Sequence, residues 1–142
     1  MSTVFVNWLR LCNNALLPSA EYAESAGADL YAMGNTTLLS HKVTVIPFGF
    51  AAEFSGRYVA ILKDRSSMSA AGVHVLGGVI ESEYRGEWKA LLYNSGDLPI
   101  WIEAGDRVCQ VLFYDRNVAV FQEAETLGRS VRGERGFGST GK

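Results

Sequence analysis

The sequence predicts an all-β fold of antiparallel strands: a sandwich, a jelly roll or a closed barrel. Three observations carry that reading. Short apolar runs recur with the period of two that a pleated strand imposes, turn residues separate them, and no segment of ten or more residues holds a convincing helical pattern.

In chain order, Val4, Val6 and Trp8 alternate with Phe5 and Asn7 and make the first strand. Ala20 to Ser25 is the best place for a short turn of helix, and Met33-Gly34-Asn35 is a turn. Val43 to Ile46 is the next strand, closed by Pro47-Phe48-Gly49, and Ser55-Gly56 introduces a strand at Tyr58 to Leu62. Gly77-Gly78 breaks the chain before a strand at Trp88 to Tyr93. Asn94-Ser95-Gly96-Asp97 and Ala104-Gly105-Asp106 then punctuate strands at Pro99 to Ile102, Val108 to Tyr114 and Val118 to Phe121.

Length and composition set the frame. The 142 residues allow one core, and 48% apolar residues suffice to build it. Aromatic residues at 11% and charged residues at 20% exclude disorder for most of the chain. The charge balance, 13 basic against 15 acidic residues, offers no general attraction to nucleic acid or anionic membrane, so an anion site must be local. The longest stretch without Asp, Glu, Lys or Arg is the fifteen residues Ser66 to Ile80, with serines, a histidine and three glycines, which excludes a spanning helix. Met1 to Arg10 shows no signal-peptide pattern, so the expectation is a soluble intracellular protein of cytoplasm or nucleus, without membrane or direct nucleic-acid partners. Two cysteines, Cys12 and Cys109, and two histidines, His41 and His74, are too few for a zinc site or a disulfide framework. A Cys12–Cys109 bridge is the lesser reading; two small hydrophobes, with Cys109 in a buried strand, is the favoured one.

Five stretches hold groups capable of chemistry. Ala26-Gly27-Ala28-Asp29-Leu30-Tyr31-Ala32 sets one acid among small residues, which reads as a turn. Lys63-Asp64-Arg65-Ser66-Ser67-Met68 puts arginine and hydroxyls at a strand end, enough for a phosphate contact. Gly77-Gly78-Val79-Ile80-Glu81-Ser82-Glu83-Tyr84-Arg85-Gly86-Glu87-Trp88 reads as a hairpin with a polar rim. There Glu81 is either a general base on a water molecule or, with Glu83 and Glu87, part of a solvated turn. Gly105-Asp106-Arg107-Val108-Cys109-Gln110 is a turn entering an apolar strand, with Gln110 on one face with Val108 and Leu112, where its amide needs a partner. The tail, Gly128 to Lys142, has five glycines and four basic residues around Phe137. It is either a frayed terminus or an arm that orders on a ligand, with backbone N–H groups, arginines, hydroxyls and one stacking ring suited to a nucleotide; a nucleic-acid-binding tail has the same look.

Together and in this order the five stretches resemble the trimeric deoxyuridine triphosphate nucleotidohydrolases, the dUTPases. Asn14-Ala15-Leu16-Leu17-Pro18 and Ile46-Pro47-Phe48-Gly49 share the likeness, so it covers essentially the whole chain. The resemblance implies a distorted jelly-roll or barrel-like β-clip subunit over residues 1–126 and, at 127–142, a flexible Gly-rich arm that closes over the nucleotide, often on a neighbouring subunit. It implies a homotrimer with active sites at subunit interfaces and Mg²⁺-assisted hydrolysis of dUTP to dUMP and pyrophosphate, water attacking the α-phosphorus. That reaction limits uracil in DNA and supplies dUMP for thymidylate synthesis. By resemblance Glu81 is the base and Asp29 holds the metal through water. Arg65, Ser66, Ser67 and Gln110 serve the inner phosphates, and Tyr84 stacks on the deoxyribose. Uracil is read by the hairpin from Gly78 to Lys89. Phe137 stacks on the base, Arg132 pairs with the γ-phosphate, and Gly138, Ser139 and Thr140 donate to the terminal phosphates.

Two departures from the family pattern stand out. Glu81 replaces the usual Asp, one methylene longer, and Asp64-Arg65-Ser66-Ser67 replaces Pro-Arg-Ser-Gly. They motivate an alternative, a catalytically weak relative acting as a binding or signalling trimer. The related deoxycytidine triphosphate deaminases share the fold, but the Gly-Phe-Gly-Ser-Thr-Gly arm speaks for the hydrolase.

Overall fold

The computed structural model describes residues 1–141. It is 38% strand and 4% helix, a jelly-roll-like all-β fold as the sequence predicts. The elements are β1 (Val6–Arg10), β2 (Ala28–Tyr31), β3 (Thr36–Leu38), β4 (Val43–Pro47), β5 (Phe50–Phe54), β6 (Tyr58–Lys63), α1 (Ser66–Ala70), β7 (Val73–Leu76), β8 (Val79–Ile80), β9 (Lys89–Asn94), β10 (Ile100–Ile102) and β11 (Arg107–Asp115). Every pairing is antiparallel, and strands distant in sequence lie side by side in the order β2-β11-β6-β8, β4-β9-β7, β1-β5 and β10-β3.

Alternation builds the core. On β9, Ala90, Leu92 and Asn94 are buried, while Lys89 and Leu91 face outward and Tyr93 is half-buried. An aromatic cluster ties the sheets: Phe50 lies 5.2 Å from Trp88 and 5.6 Å from Trp8, in tilted contact. Asn94 is fully buried and fully occupied, its amide donating to Leu38 and Leu98 carbonyls at 3.0 and 2.8 Å and accepting from Gly96 N–H at 3.0 Å.

The strand expected at Val118 to Phe121 is absent. β11 ends at Asp115, and Val118, Val120 and Phe121 are exposed because no strand edge of the chain pairs with them. Asp29 also departs from expectation, lying on β2 rather than in a turn. The small residues around it explain this: a Cβ on Gly27 would sit 2.8 Å from the Val111 carbonyl, so glycine lets this segment close on β11. Ala20 to Ser25 forms a turn, with Ser25 N–H bonded to the Tyr22 carbonyl at 3.0 Å, and the only helical turn among the described residues is α1. Both cysteines are free. Cys109 is buried, and burial, with Asp29 and Asp64 adding, pushes its thiol up to about 12; Cys12 is exposed rather than packed. Among the described residues no helix is long and apolar enough to cross a membrane.

Candidate active site

Pairing of β2 with β11 sets Asp29 directly opposite Gln110. A bulge between Arg107 and Cys109 breaks the expected alternation, so Val108 and Cys109 are both buried and Gln110 is half-buried at the strand's margin. Across β6, Arg65 leaves the strand in extended conformation and Ser66 opens α1. These four residues meet in one cavity of about 230 Å³, with Glu21, Tyr22, Ser25 and Gly27 completing its wall. Charges inside it are paired. Arg65 Nε lies 3.0 Å from one Asp29 oxygen and Arg107 Nε 3.6 Å from the other, while Arg107 Nη1 reaches Glu21 at 3.2 Å. Arg65 Nη1 also donates to the Arg107 carbonyl at 3.3 Å. Gln110 spends one amide N–H on the Asp64 carbonyl at 2.9 Å and keeps a second donor for the cavity. The Arg65 guanidinium, the Ser66 hydroxyl and the Gln110 amide donor on its wall, with Arg107 behind Asp29, are groups that suit a polyanion.

The hairpin expected from Gly77 to Trp88 is a hairpin-like loop between two sheets, because β8 pairs with β6 and β9 with β4 and β7, and it builds a second cavity of about 390 Å³, lined by Val79, Ile80, Glu81, Tyr84, Glu87, Trp88 and Lys89. Tyr84 N–H closes the turn on the Glu81 carbonyl at 3.0 Å, and its hydroxyl donates to the Glu87 carbonyl at 2.9 Å, so the ring is held at both ends. Gly86 makes room for that ring, since a Cβ there would run into the Tyr84 hydroxyl. Gly78, at φ +91°, presses its backbone on β6, where Leu62 N–H donates to its carbonyl at 2.7 Å. Glu87 accepts from Gly49 N–H at 3.0 Å, and Arg85 lies 3.5 Å from Glu53, fastening the hairpin to β5 and the turn before it. Glu81 is exposed and lines both this cavity and a neighbouring groove of about 640 Å³ that includes Asp115 and Arg116.

One chain therefore gathers Asp29, Arg65, Ser66 and Gln110 in one place and Gly78, Glu81, Tyr84 and Lys89 in another, and no described cavity holds both sets. Ser67 lies exposed on α1, its hydroxyl 3.5 Å from Arg65 Nη1. The arm residues Arg132, Phe137, Gly138, Ser139 and Thr140 are exposed and reach neither cavity. Their bonds are local, such as Arg132 Nε to the Arg135 carbonyl at 2.8 Å and Ser139 N–H to the Gly136 carbonyl at 3.2 Å. Sequence reasoning assigned no part to Arg107, which braces Asp29, to Glu21, which pairs with Arg107, or to Glu87, which anchors the hairpin-like loop. Arg107 was within reach, since an arginine in a turn entering a buried strand needs an anionic neighbour.

Among the described residues no three His, Cys, Asp or Glu side chains are grouped to hold a metal ion. Mg²⁺ does not require such a group, because it keeps several waters and takes one or two carboxylates beside substrate phosphates. Asp29 and Glu21 on the first cavity supply that donor set, and with both Asp29 oxygens facing guanidinium groups the fit is to a hydrated ion through water.

A cavity lined by Arg65, Ser66 and Gln110 and a second one beside Tyr84, on a jelly-roll-like fold, have the make-up of a nucleotide-handling protein. Comparison with known proteins narrows the class: the dUTPase family profile matches residues 13–141. The deoxyuridine 5'-triphosphate nucleotidohydrolase of Helicobacter hepaticus is 35% identical, covering 99% of this chain and 91% of that protein. The enzyme of the same name from Anaplasma marginale is 38% identical, covering 96% and 97%. In structure, the dUTPase of Staphylococcus bacteriophage 80alpha with dUPNHPP superposes at TM-score 0.88, with 23% identity over 97% of this chain and 99% of that one. A mutant dUTPase of phage phi11 of S. aureus, solved to describe a structural Mg(II) ion, gives 0.79 at 19% identity over 88% and 99%. The chain belongs to the dUTPase family.

Proposed function

We propose that the protein hydrolyses dUTP to dUMP and pyrophosphate as a homotrimer, each active site joining the Asp29 cavity of one subunit to the Glu81 hairpin of another. The observation that carries this reading is that Arg65, Ser66 and Gln110 line one cavity of the chain and Glu81 and Tyr84 another. The Gly-rich arm at 127–142 closes over the nucleotide. The outer face of β4-β9-β7 supports association, because Val43, Val45, Leu76 and Leu91 stand exposed on adjoining strands.

In the assembled site Arg65, Ser66 and Gln110 orient the inner phosphates, and Asp29 and Glu21 are the carboxylates that would hold magnesium through its waters. The magnesium supplies neutralisation of the triphosphate charge. Glu81 accepts a proton from the water that attacks the α-phosphorus, and pyrophosphate leaves in line. Tyr84, immobilised on Glu87 and Gly86, packs on the sugar, and the hairpin from Gly78 to Lys89 reads the base. Phe137 stacks over the base, Arg132 pairs with the γ-phosphate, and Gly138, Ser139 and Thr140 donate to the terminal phosphates. The product dUMP is a thymidylate precursor, and removal of dUTP keeps uracil out of DNA.

Incubation with Mg²⁺ and each deoxynucleoside triphosphate tests the assignment. Pyrophosphate release from dUTP in preference to dTTP and dCTP is expected, and no release from dUTP would sink it.

A further inference from the structure

Asp64 occupies a junction that the catalytic reading leaves unused. It follows the last residue of β6 and precedes Arg65 and Ser66. Its carboxylate accepts the Val75 N–H at 2.6 Å, and its other oxygen lies 3.7 Å from His74 Nδ1. β7 is an edge strand, paired only with β9, so Val75 N–H on its free side has no strand to receive it and takes the carboxylate instead. The Asp64 main-chain carbonyl, meanwhile, accepts one amide N–H of Gln110 at 2.9 Å.

We propose that Asp64 is a positioning residue for the phosphate half-site: its side chain latches the β6–α1 link to β7 while its carbonyl aims the Gln110 amide, and Arg65 and Ser66 follow directly on the residue held by both ties. The backbone at this junction is thus fixed by a charge-assisted hydrogen bond across to another sheet. The added negative charge, which by itself would repel phosphate, points away to β7 and His74. The inference rests on the assignment of the Asp29 cavity to the phosphates.

The test compares Asp64→Ala with Asp64→Asn in the full-length protein. Asn keeps an oxygen acceptor for Val75 and loses only charge, so it is expected to hold KM for dUTP within about threefold of wild type. Ala removes the acceptor and is expected to raise KM about tenfold, with a smaller change in kcat, and to speed hydrogen exchange at the Val75 amide. Asp64→Ser, whose hydroxyl stops one bond short of Val75, replaces Ala if that variant does not fold. Wild-type turnover beside an Ala variant of unchanged KM and Val75 exchange would overturn the latch, as would an Asn variant impaired as deeply as Ala. A wild-type protein without dUTP turnover would overturn the assignment of the cavity, and the latch's role with it.

Discussion

At the scale of single residues, Glu81 and Cys109 carry the sharpest expectations. Glu81 stands exposed at the mouth of the second cavity, its arm one methylene longer than an aspartate's, and misplacements of ~1 Å cost up to ~100-fold in rate. Glu81→Gln should lower kcat by 10²- to 10⁴-fold with little change in KM, the usual range for loss of a general base. Measuring Glu81→Asp beside it separates two designs. Lower turnover in the Asp variant means that the site is built around glutamate, and a gain of orders of magnitude marks a protein not tuned for catalysis. Cys109 has a purely structural effect. Its thiol ionises near its ordinary 9.0 in the unfolded chain but near 12 in the fold. A pKa raised by folding contributes stability that is complete below the unfolded value and drains away as pH rises toward the folded one. Chemical denaturation should therefore show Cys109→Ala losing less stability than wild type between pH 9 and about 12, by at most ~1.4 kcal/mol per pH unit. Parallel pH profiles would contradict the burial of this thiol.

Among elements, the hairpin and the arm behave differently. The hairpin is fastened by Glu87 to Gly49, by Arg85 to Glu53 and by Tyr84 to its own far limb. Gly86→Ala forces a Cβ into the Tyr84 hydroxyl, so KM for dUTP should rise at least tenfold while the fold persists, read by steady-state kinetics and a thermal melt. The arm has no such fastening. Truncation before Arg132 should abolish most turnover yet leave the oligomer intact in sedimentation, and full activity in the truncated protein would remove the arm from the mechanism. How far each element was legible in the sequence follows from where its information lies. Lys89 to Asn94 alternates cleanly because one face is core, and its strand was readable. Ala28 to Tyr31 was not, because its small residues reflect close approach to β11, a contact invisible along the chain. Val118 to Phe121 has the local look of a strand but no partner edge, and a strand exists only in a sheet. Site residues were legible where their types form a motif, as with Arg65-Ser66 and Tyr84-Arg85-Gly86. Arg107 and Glu21 work through a partner far off in sequence, which spacing does not reveal.

For the whole molecule, the decisive question is whether chains complete one another. Glu81→Gln and Arg65→Ala subunits should each be inactive alone. Refolded together in equal amounts, they should recover activity at about a quarter of sites, those that draw both intact residues from different copies. No recovery would mean that each site is built within a chain. Val45→Asp together with Leu91→Asp, on paired positions of the exposed sheet face, should give monomers by sedimentation and remove turnover with them.

The ion pairs of the phosphate cavity bear on how substrate arrives. Arg65 and Arg107 stand against Asp29 and Glu21, two positive groups balanced by two negative ones, on a chain whose formal net charge is -2. Beyond a Debye length, ~8 Å at physiological ionic strength, such a cavity exerts almost no pull on a polyanion. Nucleotide capture is thus an unsteered diffusional encounter, and its association rate constant should change little between dilute and concentrated salt. Under the proposed assignment of this cavity to the phosphates, discrimination would begin only at contact, when phosphate oxygens displace the carboxylates from the guanidinium groups they already occupy.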